Sequence, residues 1–176
     1  WENVAFQPYA NRWLIFIAYM VGLSIGVHLL NLLVIPAIVF IYYFKKYETT
    51  KWGIIKSAAL SIVILGVIMW GIIPGVIIVA GWFELLFVNG FGMPFNTGVV
   101  IYALLLIAGL TFGIRYTLKH NHTVVNTILT CFVVMLIGYS CYAMVVIRSV
   151  SNPPIDENSP DNVFSLLSYI SRDQYG

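Results

Sequence analysis

"WLIFIAYMVGLSIGVHLLNLLVIPAIVFIYYFKK", residues 13–46, decides the fold class. From Trp13 to Phe44 the run holds no acid, lysine or arginine, and Ser24, His28 and Asn31 are the polar residues that interrupt it. One helix over Trp13–Phe44 would reach about 48 Å, well past the ~30 Å hydrocarbon core of a bilayer. Two short passes joined near His28–Asn31 fit better. Gly22 and Gly26 stand four apart, the small-xxx-small spacing that lets membrane helices approach closely. Pro36 falls one turn inside the second pass, where a kink is tolerable if neighbours satisfy the freed carbonyl. Arg12 precedes the hairpin and Lys45 and Lys46 close it.

The rest of the chain has the same character. Of its 176 residues 60% are hydrophobic and 9% charged. The mean hydropathy is +0.91. Soluble domains carry about a quarter charged residues, so this composition belongs to a chain dissolved in lipid. A net charge of +2 is too small to suggest nucleic acid, and none is expected as a partner. Cys131 and Cys141 lie ten residues apart in one apolar run. On one helix that is about 15 Å, too far for a disulfide, so both read as small apolar residues. The opening "WENVAFQPYANRW" has neither the basic nor the apolar region of a signal peptide. Both ends read as cut from longer elements, so an internal segment of a larger polypeptide is expected.

The pattern predicts an all-α membrane protein with about five transmembrane helices. Passes fall near 13–29, 30–45, 52–72, 97–118 and 123–147. "IIPG" (72–75) is expected to break the third, and the short stretch 75–89, which contains Glu84, to be interfacial or re-entrant. Residues 149–176 form a Pro-rich acidic loop and then a short amphipathic helix. In that helix Val163, Phe164, Leu166, Leu167 and Ile170 make a stripe, with Asp161 or Asn162 as the cap. Lysine and arginine favour the cytoplasmic side, and one orientation satisfies every basic cluster except Arg148. It puts the His28–Asn31 tip, the Glu84 segment, Arg148 and the loop 149–176 together on the exoplasmic side.

Candidate site residues follow from that convergence. His28 and Asn31, three apart, are expected to share a helix face and to contact a charged headgroup or neighbouring helices. Arg148 carries a fork suited to phosphate oxygens, or snorkels to lipid. Pro153, Pro154 and Pro160 stiffen a turn that holds Asp156 and Glu157, a carboxylate pair that binds substrate or a metal, receives a hydroxyl proton, caps the following helix, or simply ends the domain as a solvated loop. Glu84 either binds substrate from a re-entrant helix or, the preferred reading, faces water from an interfacial helix with Trp82 and Phe83 in the headgroups. His120 and His122 lack a third ligand, and no metal site is predicted. "NHT" (121–123) matches a glycosylation acceptor but falls on the cytoplasmic side in this orientation.

"GLSIGVHLLNLLVIPAIVFIYYFKK" (22–46) and "NPPIDENSPDNVFSLLSYISRDQYG" (152–176) resemble stretches of a bacterial, Bacteroidota-type membrane family related to GT-C protein O-mannosyltransferases. The Gly-rich hairpin with its polar tip and following "IP" is also similar to a hairpin found more widely in GT-C enzymes. The resemblance implies a GT-C-like bundle in the bacterial inner membrane, with residues 149–176 periplasmic. It implies a polyprenyl-phosphate sugar, mannose-like, as donor substrate and an acceptor protein whose Ser or Thr hydroxyl is glycosylated. Membrane lipids and the remainder of a longer polypeptide, or partner subunits, complete the expected partners; no cofactor is predicted. Such enzymes carry their key acid in the first exoplasmic loop, in an Asp-rich setting that nothing here matches. No catalytic residue is therefore transferred, and a non-catalytic scaffold subunit is the alternative. A transporter is disfavoured by the absence of an internal repeat and of paired charges at mid-membrane depth.

Overall fold

The computed structural model describes residues 5–7, 9–156 and 158–173. Among them all regular structure is helical and there is no strand. Four helical segments are long and apolar enough to cross a membrane: Leu29–Lys46, Lys51–Gly90, Thr97–Lys119 and Thr123–Val150. The protein is an all-α, multi-pass membrane protein. The chain divides into two compact units, Trp1–Met69 with Asn121–Cys141, and Trp70–His120 with Tyr142–Gly176.

The first unit holds the hairpin. α1 (Asn11–Ile25) is followed by a 3-10 turn, Leu29–Leu33, which runs directly into α2 (Val34–Lys46). α1 ends four residues before the expected 29, and at 15 residues it is shorter than a full crossing. Pro36 falls in the first turn of α2, where its missing N–H removes little. α3 (Lys51–Gly66) packs on α2. Its buried residues are Ser57 and Ser61, and Gly53 one turn earlier faces the Tyr43 hydroxyl so closely that a side chain there would overlap it. The buried Tyr43 also pins the connection between the helices. Its hydroxyl donates to the Glu48 carbonyl at 3.0 Å and accepts from the Thr50 N–H at 3.0 Å.

α6 (Thr123–Tyr139) packs along α1 through small residues. A methyl group on Gly22 would overlap the Met135 carbonyl, one on Gly138 would strike the backbone of Tyr19, Gly22 and Leu23, and one on Gly26 would strike the Cys141 sulfur. The spacing of Gly22 and Gly26 thus does what close helix approach demands. Asn11 adds a bond from its Nδ2 to Thr127 Oγ1 at 3.4 Å near the start of both helices.

The second unit is built on α4 (Ile73–Leu85), α5 (Thr97–Lys119), α7 (Tyr142–Val150) and α8 (Val163–Ser171). α5 and α8 both pack on α4. The break expected at residues 72–75 is absent: helical backbone runs on from Lys51 to Gly90, widening to π turns at Val67–Ile72 and Leu86–Gly90. Pro74 stands in the first turn of α4, just after the first π turn. The wider turn accommodates the ring and the carbonyl that loses its donor. The expected pass 123–147 falls within the apolar helical segment Thr123–Val150, which a turn at Ser140–Cys141 divides into α6 and α7. There the Ser140 hydroxyl donates to the Ile137 carbonyl at 2.6 Å. α8 is the amphipathic helix read from the sequence. Asn162 caps it by accepting from Phe164 and Ser165 at 2.9 and 3.0 Å, and Ser165 Oγ accepts from the Asn162 N–H at 3.1 Å, closing a capping box.

Candidate functional site

The hairpin tip is built by its own polar residues. His28 is extended, at φ −159°, and caps the 3-10 turn: its Nδ1 accepts from the Leu30 N–H at 3.1 Å. Asn31 lies inside that turn and its Nδ2 points back to the Ser24 carbonyl at 3.5 Å. The two therefore do not share a helix face, because the chain leaves helical geometry at His28. Both remain exposed. With Nδ1 engaged as an acceptor, the neutral imidazole carries its proton on Nε2. The tip thus offers an outward N–H donor.

The second polar group sits at the end of α7. Arg148 is exposed there. Its neighbour Ser149 is buried and donates from Oγ to Asp156 Oδ2 at 2.7 Å. This bond ties the proline loop back to the helix it leaves. Asn152, Asn158 and Ser159 supply positive φ values of 49°, 61° and 40° where the loop turns, and Pro160 is fully buried. No ion pair joins Arg148 to Asp156 among the described residues; a hydroxyl, not a guanidinium, holds the carboxylate. Glu157 lies outside the described residues. Ser149 was missed at the sequence level because only the returning loop reveals its partner.

Glu84 corrects a sequence expectation. It does not face water: it is 1% exposed. Its carboxylate accepts from the backbone N–H groups of Asn96 and, at 3.1 Å, Val99. Asn96 is the N-cap of α5, in a left-handed conformation at φ 72°, and makes no side-chain cap. Glu84 does that work from α4, placing an acid against the positive end of the α5 dipole. Gly98 makes the approach possible, since any side chain there would overlap Phe83 and Glu84 backbone. Trp82 is exposed, whereas Phe83, expected beside it in the headgroups, is half-buried against the Phe87 and Tyr102 rings. Among the described residues no three His, Cys, Asp or Glu gather to hold a metal ion.

These features define a multi-pass α-helical membrane protein with polar groups at its helix ends. Residues 1–51 match the family described as "Protein O-mannosyl-transferase TMEM260 N-terminal domain". The matched stretch holds the α1–α2 hairpin and its tip, and it agrees with the O-mannosyltransferase relation implied by the resemblance. No curated protein and no solved structure matches the chain.

Proposed function

We propose that this chain is the membrane portion of a GT-C-like glycosyltransferase that moves a mannose-like sugar from a polyprenyl-phosphate carrier to protein Ser or Thr hydroxyls. The reaction lies on the exoplasmic face, with residues 149–176 in the periplasm of a bacterial inner membrane. The observation that carries this reading is the likeness of residues 1–51 to an O-mannosyltransferase domain. In the reaction an acceptor hydroxyl attacks the anomeric carbon. The bond from that carbon to the phosphate oxygen breaks, the phosphate leaves with the electron pair, and a carboxylate takes the hydroxyl proton. The leaving phosphate needs N–H donors or cations. His28, through Nε2–H, and Asn31 offer such donors at the tip of the first unit, and Arg148, in the second unit, offers a fork suited to phosphate or lipid. Asp156 and Glu157 shape the acceptor side. The proton-accepting acid is assigned to no residue of this sequence. The absence here of the family's expected acid favours the rival reading, a non-catalytic scaffold.

Two substitutions in the full-length protein test this. His28→Asp keeps an N-cap acceptor but removes the outward donor. Arg148→Ala removes the fork. Each is expected to lower sugar transfer at least about tenfold, the worth of one charge-assisted hydrogen bond, while circular dichroism and melting temperature stay unchanged. Unchanged transfer in both variants would remove His28 and Arg148 from the phosphate site.

A further inference from the structure

We infer that the basic end of the first unit binds the phosphate of an anionic membrane lipid, in a cleft between residues 5–7 and 9–12 on one side and the end of α2 on the other. The cleft measures about 680 Å³, and Gln7, Tyr9, Asn11, Arg12, Ile15 and Lys46 line it. No acid lines it among the described residues. Its two cations come from different elements, Arg12 from the start of α1 and Lys46 from the end of α2.

Lys46 is drawn across to the N-terminal segment. Its Nζ donates to the Ala5 carbonyl at 3.1 Å and lies 4.8 Å from the centre of the Phe6 ring. That bond uses one of the three ammonium donors, and two remain. The Arg12 guanidinium lies 5.5 Å from the centre of the Trp13 ring and pairs with no carboxylate among the described residues. A guanidinium fork beside an ammonium point charge is the donor set that grips phosphate oxygens.

The surroundings select a lipid over a soluble anion. The span Leu29–Lys46 ends at this cleft, so Lys46 falls where the hydrocarbon gives way to headgroups. Phe6 and Tyr9 are 73% and 82% exposed beside it. Aromatic rings at that depth sit among headgroups and glycerol. Lys45, Lys51 and Lys56 extend the positive field on the same two helices, α2 and α3, against the single acid Glu48 between them. The inference depends on membrane insertion and stands whether or not the chain transfers sugar.

The test uses full-length protein in an uncharged detergent, titrated with short-chain phosphatidylglycerol, short-chain phosphatidylcholine and inorganic phosphate, with bound molecules counted by native mass spectrometry. Phosphatidylglycerol is expected to bind saturably, about tenfold more tightly than phosphatidylcholine, and inorganic phosphate is expected not to displace it. Arg12→Gln and Lys46→Gln should each weaken phosphatidylglycerol about fivefold, while Lys119→Gln, on α5, changes nothing. Equal binding of the two lipids, displacement by inorganic phosphate, or undiminished binding by Arg12→Gln would overturn the inference. Lys46→Gln also loosens the tether to Ala5, so if its melting temperature falls, Arg12→Gln alone decides.

Discussion

The α1–α6 contact and the α4–α5 contact solve the same problem in different ways. Both bring two apolar helices together in a solvent as apolar as their side chains, where no hydrophobic gain favours association. Along α1 and α6 the answer is proximity: Gly22, Gly26 and Gly138 remove the side chains that would hold the backbones apart. Dispersion over the closed gap then does the work. Between α4 and α5 a glycine, Gly98, also permits a close approach, but the adhesive is polar. Glu84 crosses to the N–H groups that open α5. The first N–H groups of a helix have no partner within it, and here Glu84 of the neighbouring helix supplies one. The first contact is therefore sensitive to volume and the second to hydrogen-bonding capacity.

The largest expected effect tests the volume side. Gly138→Leu places a branched side chain into the backbone of α1, with no flexible group able to yield. A loss of about 3 kcal/mol or more is expected, at the upper end of overpacking. It should appear as a lower melting temperature and as loss of oxidative cross-linking between cysteines introduced at Asn11 and Thr127. Retained cross-linking would show that proximity is not what joins this pair.

Next comes the polar side. Glu84→Ala leaves the Asn96 and Val99 donors unpaired and is expected to cost about 1–3 kcal/mol. Glu84→Gln, which keeps one good acceptor, should fall between parent and Ala. Hydrogen exchange at the Val99 amide should rise in the same order. An identical loss in both variants would mean that packing around Glu84, rather than its acceptors, holds α5.

The smallest effect lies away from both contacts. Asn162→Ala opens the capping box of α8 and is expected to cost about 1 kcal/mol, with Asn162→Asp restoring most of it. Faster proteolysis after residue 162 in the Ala variant, and in that variant alone, is the readout.

The legible parts of this chain were those written in short spacings. Gly22 and Gly26 announced a close contact before any partner was visible, and the stripe from Val163 to Ile170 behind Asn162 announced α8. The spacing of Gly53, Ser57 and Ser61 carried the same message for α3 and went unread, because two of the three are polar. Misreadings arose where local chemistry was ambiguous. "IIPG" has the composition of a break, yet a π turn takes up the proline and the helix continues. Glu84 has the charge of a surface residue, yet it is buried. His28 and Asn31 have helical spacing, yet the chain is not helical at His28.

By itself the sequence determined the solvent of this protein and, with it, the class of fold: so few charges among so many apolar residues require lipid, and lipid requires backbone bonds closed within helices. It also marked the polar tip and the stiff acidic loop. Tertiary structure alone decided which donors Glu84 satisfies, that Ser149 rather than Arg148 holds Asp156, and that Met135, Gly138 and Cys141 are what Gly22 and Gly26 meet. Those pairings join residues on different elements, and no periodicity along one element can specify a partner on another.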